Sequence, residues 1–407
     1  MVVIGITGTK GKSSSVAIVH QILKEVGLKV GVSSSVYFAD GEKTWDNDTR
    51  NSMPGRFRMH KLMKEAADNG CQVFVMEVTS EGLAQNRHRG IHFDIAMFTN
   101  LYPEHIEAHG GFENYKKAKG RLFESLSNSL TKDLAGASIP RCIVVNADSE
   151  HSPYYASFPV DKVVSFGMSH KGDVMADVLE ETDHGVKIRL HIDKQEYVIE
   201  VPLLGQFQVE NVLGAVAVAR HLDVPVSHII ASLKSLTPVA GRMNMVWDKP
   251  KVIVDYAHIP DALEVVYQNV TKVFKKDPNR IFAILGSAGG GRDTWKRAPM
   301  GEIAAKYADV VIITNEDPFD EDPQQIIDEV FEGVIKSGEK KEGKTAFRIL
   351  DRREAFEKVA IDAKDGDIIV ITGKGSEHSI VGKDGVKEDW NDTEQIQAVM
   401  KNYRTNN

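Results

Sequence analysis

Near the start of the chain, Gly8-Thr9-Lys10-Gly11-Lys12-Ser13-Ser14 combines the residue types that phosphate chemistry needs at the spacing it needs. Glycines let successive backbone N–H groups converge on phosphate oxygens at a helix N-terminus, Lys12 would neutralise charge, and the Ser13 hydroxyl would face a magnesium ion. The guest this implies is ATP. The full phosphate-loop pattern would have a glycine where Ile6 stands, so only the shorter G-T-x-G-K-S form is present. Such a loop works only between a strand and a helix. An apolar β-type run (Val2, Val3, Ile4, Ile6) precedes it, and a helix-period segment with Val16, Val19, Ile22, Leu23 and Val26 on one face follows. An ordinary glycine turn is the alternative, and Lys-Ser at the required spacing argues against it.

Other chemistry-bearing residues are placed by the elements around them. The buried-type run Cys71–Glu77 ends in a carboxylate, and Asp94–Thr99 delivers Asn100, Glu104, His105 and His109. Ligands of open α/β sheets bind beyond the carboxyl ends of the strands, which predicts these groups beside the phosphate loop. A helix over Phe112–Leu126 carries Lys116, Lys117 and Lys119, and the polar stretch Tyr37–Arg56 reads as a surface or substrate loop. The alternation of strands and helices predicts a mostly parallel sheet covered on both faces. Between Arg141 and Leu204 the period shifts to two, which predicts a small antiparallel sheet appended to this domain. Helices over Val209–Leu222 and Val226–Leu236 lead to a linker at Pro238–Arg242. Strand–helix alternation then resumes from Val252 to Thr372, a second doubly wound domain, so the division expected is residues 1–239 and 240–407.

At 407 residues the chain can bury more than one full-sized core. Its net charge of −8 argues against binding nucleic acid or an anionic membrane in bulk. Two cysteines, Cys71 and Cys142, exclude a zinc ribbon or disulfide framework and suit a reducing, cytoplasmic setting. No apolar run is long enough to span a bilayer, and the loop lies too close to Met1 to leave room for a signal peptide.

Taken together, the motifs resemble those of the Mur ligases, closest to the MurE type. Those that carry the resemblance are Gly8–Ser13, Met76-Glu77-Val78-Thr79-Ser80-Glu81-Gly82-Leu83, Phe98-Thr99-Asn100-Leu101, Glu104-His105 and Tyr115–Lys119. In the second half they are Gly241-Arg242-Met243, Asp255-Tyr256-Ala257-His258, Gly291-Arg292-Asp293 with Lys296-Arg297, and Gly373-Lys374-Gly375-Ser376-Glu377. The resemblance implies a central ATP-binding domain, a Rossmann-like C-terminal domain, and ATP-dependent amide formation. A carboxylate acylates poorly, so the family phosphorylates it with ATP and an amine then attacks the acyl phosphate; positioning and charge neutralisation carry such chemistry.

Carried over residue by residue, Lys12 and Arg242 would contact the phosphates, and Ser13 with Glu77 would hold one magnesium. His105 would serve a second, together with Lys119 if that lysine is carbamylated, because a carbamate offers the anionic oxygen that magnesium prefers. Asn211 matches an asparagine near the adenine, although Gln208 stands where a second asparagine is usual. Asp255 resembles a ribose contact, with helix capping as its plain alternative, and His258 lies beside it. Thr79, Ser80, Arg89, Asp317, Gly373 and Glu377 would meet the peptide acceptor or the incoming amino acid. Closure of the second domain would keep water from the acyl phosphate.

Three departures bear on the substrates. Family members open with a domain that grips UDP, whereas this chain begins at the nucleotide-domain strand; the remaining domains or a separate acceptor-binding partner would then hold the acceptor, or the acceptor is not a UDP-sugar. Diaminopimelate-adding members carry Asp-Asn-Pro-Arg, while Glu316-Asp317-Pro318-Phe319 stands here, which tilts the expectation to lysine or another amine. Ser376 and Glu81 replace common histidines. The alternatives are a ligase of the folylpolyglutamate or cyanophycin synthetase kind, or a nucleotide-dependent scaffold subunit.

Overall fold

The computed structural model describes residues 1–49, 51–103, 109–134, 136–169, 172–291, 293–336 and 338–404. They form two compact units, Met1–Thr237 and Pro238–Asn407.

Unit 1 is organised on one sheet. Its strands are β1 (Val2–Thr7), β2 (Val30–Ser33), β3 (Tyr37–Asp40), β4 (Thr44–Asp46), β5 (Val73–Glu77) and β6 (Ile95–Phe98); a separate hairpin is formed by β7 (Lys132–Leu134) and β8 (Ala137–Ile139). The sheet continues with β9 (Cys142–Asn146), β10 (Lys162–Gly167), β11 (Val174–Thr182), β12 (Gly185–Ile192) and β13 (Gln195–Val201). Eleven strands are ordered β13-β12-β11-β10-β9-β6-β1-β5-β2-β3-β4. The interior from β10 to β2 is parallel, and each flank is an antiparallel meander. Of the stretch expected to form a small antiparallel sheet, β11–β13 are antiparallel, whereas β9 and β10 pair in parallel, and all five continue the main sheet through the pairings of β6 with β9 and of β10 with β11.

Strand alternation sorts the interior side chains onto two faces. Val2, Ile4, Ile6, Val73, Val75, Ile95 and Met97 face one core, shared with helix α1 (Lys12–Glu25). Val3, Phe74, Met76, Ala96 and Phe98 face the other, covered by α2 (Arg56–Asp68) and, beyond the short α3 (Ser80–Ala84), by α4 (Phe112–Ser127). The first core is closed by α5 (Phe207–His221) and α6 (Val226–Lys234). Ile22 and Leu23 of α1 are fully buried, and truncating such a side chain to alanine costs about 2–5 kcal/mol. The stretch after β2, read from its polarity as a loop, instead makes the β2–β3–β4 meander: Gly41 has φ 88, and Asp40 Oδ1 accepts from the N–H groups of Glu42 and Lys43 at 2.9 and 2.7 Å, closing a tight turn.

Unit 2 is a six-stranded sheet of order β14-β15-β19-β16-β17-β18. Its strands are β14 (Asn244–Trp247), β15 (Lys251–Val254), β16 (Ile281–Leu285), β17 (Val310–Ile313), β18 (Ala346–Arg348) and β19 (Ile368–Ile371), with a hairpin of β20 (Ser379–Val381) and β21 (Lys387–Asp389). Within the six-stranded sheet all pairs are parallel except β14 with β15. The helices are α7 (Pro260–Phe274), α8 (Arg297–Tyr307), α9 (Pro323–Lys336), α10 (Arg352–Asp362) and α11 (Asp392–Arg404). Alternate residues Val252, Val254, Phe282, Ile284, Ile369 and Ile371 share a core with α10 and α11. Helices α8 and α9 meet backbone to backbone: a Cβ on Gly301 would overlap the Val330 carbonyl oxygen, and one on Gly333 that of Ala298.

Candidate active site

Register builds the unit 1 site. Parallel pairing sets Ile6 opposite Glu77 and Thr7 opposite Phe98, so the loop after β1, the carboxylate ending β5 and the turn after β6 leave the sheet together. Gly8 and Gly11 are required there. Gly8 has φ 154 and a Cβ on it would overlap Thr99 Oγ1; Gly11 has φ 82 and a Cβ would overlap Asn211 Oδ1. Gly11 is the N-cap of α1, and no side chain caps the helix. Its first-turn N–H groups and positive dipole end are therefore open to an anion.

The loop is held from β6 and α4. The Lys10 N–H donates to Asn100 Oδ1 at 2.8 Å, Asn100 Nδ2 and Thr99 Oγ1 donate to the Lys10 carbonyl at 3.2 and 2.8 Å, and Thr9 Oγ1 lies 3.1 Å from the Tyr115 hydroxyl. Lys12 Nζ donates to the Thr9 carbonyl at 2.7 Å. Ser13 Oγ donates to Glu77 Oε2 at 3.0 Å and lies 2.8 Å from Ser35 Oγ, while the Ser35 N–H also donates to Glu77 Oε2, at 2.9 Å. Lys119, 2% exposed, sends Nζ from α4 to the Gly8 carbonyl at 2.8 Å, over the Tyr115 ring. Ser14 is buried at the start of α1. Asn211 accepts from Ser15 Oγ at 3.3 Å and donates to Gln208 Oε1 at 2.9 Å, so the unexpected Gln208 steadies it.

Thr79 Oγ1 caps α3 by accepting from the Gly82 N–H at 3.1 Å, and Ser80 Oγ lies 3.1 Å from His109 Nε2. Arg89 is exposed beyond α3. Glu104, His105 and Arg292 fall outside the described residues.

Unit 2 gathers its own set at the carboxyl ends of β15, β17 and β19. The Arg242 guanidinium lies 4.5 Å from the Tyr256 ring centroid. Asp255 accepts from the Met243 N–H through Oδ2 and the Ala257 N–H through Oδ1, both at 2.7 Å. Burial raises its carboxyl against the opposing pull of Arg242 and those N–H groups. Asp255 does not cap the next helix, whose N-cap is Ile259 with no side-chain bond; its two oxygens instead tie the backbone of Met243 to that of Ala257. His258 Nδ1 is 3.0 Å from the Tyr256 carbonyl. Asp317 Oδ1 accepts from the fully buried Lys374 Nζ at 3.0 Å and from the Val381 N–H at 2.7 Å; Lys374 also donates to Glu377 Oε2 at 2.8 Å. Asp317 thus already holds a cation where the sequence reading wanted it to take a substrate ammonium. A Cβ on Gly373 would overlap Glu316 Oε2, so only glycine fits against that carboxyl.

Two members of this set, Tyr256 and Lys374, have no role assigned from the sequence, and Glu316 is expected only to favour an incoming ammonium alongside Asp317. Tyr256 donates to Glu377 Oε1 at 3.4 Å, Lys374 bridges two carboxylates, and Glu316 is raised to about 7 by burial, with Lys374 and Arg352 pulling the other way. A lysine between two glycines was the available signal.

Fold and loop together define a phosphate-loop nucleotide-binding protein followed by a second, doubly wound α/β unit. Residues 6–219 match the Mur ligase middle domain and residues 241–375 the Mur ligase, glutamate ligase domain. The chain is 35% identical over 389 residues to a UDP-N-acetylmuramoyl-L-alanyl-D-glutamate–2,6-diaminopimelate ligase of Geobacillus kaustophilus, covering 95% of this chain and 76% of that protein. It is 36% identical over 388 residues to a UDP-N-acetylmuramyl-tripeptide synthetase of Roseiflexus sp., covering 94% and 75%. Among solved structures, a UDP-N-acetylmuramoyl-L-alanyl-D-glutamate–2,6-diaminopimelate ligase superposes with a TM-score of 0.66 at 27% identity, over 99% of this chain and 78% of that one. The chain belongs to the Mur ligase family, ATP-dependent ligases that form amide bonds and use magnesium. Among the described residues no helix is long and apolar enough to cross a membrane.

Proposed function

We propose that this chain adds an amino acid to the carboxylate of a UDP-MurNAc-peptide-type acceptor in peptidoglycan synthesis, through an acyl phosphate, with residues 1–239 as the ATP-binding domain and 240–407 as the C-terminal ligase domain. The observation that carries this reading is the uncapped N-terminus of α1 beneath a loop that presents Lys12, with Ser13 hydrogen-bonded to Glu77 at 3.0 Å. Lys12 and the N–H groups at the start of α1 orient the β- and γ-phosphates of ATP, and Lys12 offsets their charge. Arg242 adds a second cation, and Asn211 meets the adenine. Asp255 and His258 stand on the ribose side, Asp255 through lone pairs beyond those its backbone donors use.

The donor set fits magnesium: a hydroxyl and a carboxylate, both hard oxygen ligands, already share one locus. When bound, the ion supplies charge neutralisation for the transferring phosphoryl group. A second magnesium would take His105 and a carbamylated Lys119. The N–H left on a carbamylated Nζ could keep its bond to the Gly8 carbonyl. Density at Lys119 in a crystal grown with bicarbonate tests this; an unmodified ammonium would remove Lys119 from the ligand set.

Thr79, Ser80 and Arg89 serve the acceptor, and Gly373, Glu377 and Asp317 border the incoming amine, Asp317 acting through Lys374. Phe319 offers no charge to a distal carboxylate, which favours lysine over diaminopimelate. The test is ADP release with ATP, magnesium and UDP-MurNAc-L-Ala-D-Glu, with lysine and diaminopimelate supplied in separate reactions and products identified by mass. Turnover with lysine, reduced at least about 100-fold in Lys12→Ala, is expected. Normal ATP binding with no product from either amine would sink the reading for this chain.

A further inference from the structure

The C-terminal end of α1 opens on a recess of about 290 Å³ that the ligase reading does not use. That volume lies at the lower edge of the class of small-molecule sites, which begins at about 300 Å³. Cations reach it from three elements: Lys24 from the last turn of α1, Lys29 from the turn into β2, and Lys43 from the turn between β3 and β4. Lys29 pairs with Glu42 at 3.4 Å, whereas Lys24 and Lys43 have no ion-pair partner among the described residues. His20, one turn before Lys24, lines the same recess, and its Nδ1 is 2.8 Å from the Tyr37 hydroxyl of β3.

Three lysines and one carboxylate, Glu42, therefore line the recess. Two features oppose an anion and reduce the positive excess without reversing it. The C-terminal end of a helix carries about −0.5 charge. The Asp40 carboxylate beside Lys43 stays charged and accepts from the turn N–H groups of Glu42 and Lys43, so three lysines stand against two carboxylates. Lysines from separate elements act as point charges around a centre, an arrangement suited to a tetrahedral phosphate more than to a planar carboxylate, which favours a bidentate fork.

We propose that this recess binds a small phosphorylated molecule, at a site separate from the nucleotide loop. The 14 residues of α1 separate the two, roughly 20 Å at the α-helical rise, so one ligand cannot occupy both.

Pyrophosphate is the probe, and Lys12→Ala in the full chain removes the competing loop. Saturable pyrophosphate binding by calorimetry should persist in Lys12→Ala and weaken at least tenfold when Lys24→Ala and Lys43→Ala are added. Both lysines are exposed, so the added changes leave the fold intact. Citrate, titrated in parallel, should bind more weakly; equal or tighter binding would overturn the phosphate assignment. A second readout localises the ligand. The His20 ring, held down to about 4 by burial first and Lys24 second, should titrate higher by NMR with pyrophosphate bound, the resonance being assigned by its loss in His20→Gln. Lys29, Lys43 and Glu42 line the same recess, and the Tyr37 hydroxyl holds the ring. Binding that vanishes with Lys12→Ala, or a His20 titration that pyrophosphate leaves unmoved, would overturn the proposal.

Discussion

Glu316 is a buried acid facing two cations, yet its Oε2 has no hydrogen-bond partner, and burial raises its carboxyl to about 7. A carboxyl raised above its unfolded value binds its proton more tightly in the folded state. The folded chain therefore holds more protons than the unfolded one between about pH 4.5 and 7, and this group subtracts stability as pH rises through that window. E316Q should abolish that slope. Urea midpoints at pH 5 and pH 8 are the check: relative to the variant, the wild type should be less stable at pH 8 than at pH 5, and parallel profiles would refute the burial argument. The sequence made the phosphate loop legible because Gly8 to Ser14 are neighbours in the chain. It did not disclose the Glu316–Lys374–Glu377–Tyr256 group, whose members come from three strand ends and meet only once β15, β19 and β17 stand in one sheet, with β16 between the last two. For the same reason the bond from the Met243 N–H to Asp255 was not legible, since the two lie at the ends of different strands.

At the scale of elements, the crossing of α8 and α9 is the most exacting contact. Replacing glycine by alanine inside a helix should gain about 0.5–1 kcal/mol from backbone entropy. At Gly333 the added methyl would meet the Ala298 carbonyl oxygen, part of a helix backbone that cannot rotate away, and overpacking of this kind costs typically 1–3 kcal/mol. The second effect wins, so Gly333→Ala should lower the stability of unit 2 by about 1–2 kcal/mol in urea unfolding, whereas a gain would mean that the helices can part. Strand and helix runs were legible here because apolar periodicity is strong in buried parallel strands: Ile281–Leu285 has five buried residues in succession. The β3–β4 turn was not, because β4 is exposed throughout and its sequence carries a loop's polarity. An edge strand needs only one paired side and no buried face to exist.

At the scale of the whole chain, the two units have separate sheets and separate cores. Residues 238–407 expressed alone should therefore unfold cooperatively in urea with helical circular dichroism before the transition; a gradual, non-cooperative loss of signal would show that this unit depends on residues outside it. The domain alternation was legible from the linker-like Pro238–Arg242, because proline and glycine interrupt periodicity wherever packing stops.

The eleven-stranded sheet also has a history in time. Its interior joins strands far apart in the chain, with Val2 beside Val73 and Ile95 beside Cys142, while its flanks join neighbours, with Thr182 beside Gly185 and Gly31 beside Asp40. Loop-closure entropy penalises the first kind of pairing and hardly touches the second. In pulse-labelled hydrogen exchange during refolding, amides of β11–β13 should gain protection before those of β1. The phosphate loop hangs from β1, so the capacity to bind nucleotide would be among the last properties a newly made chain acquires.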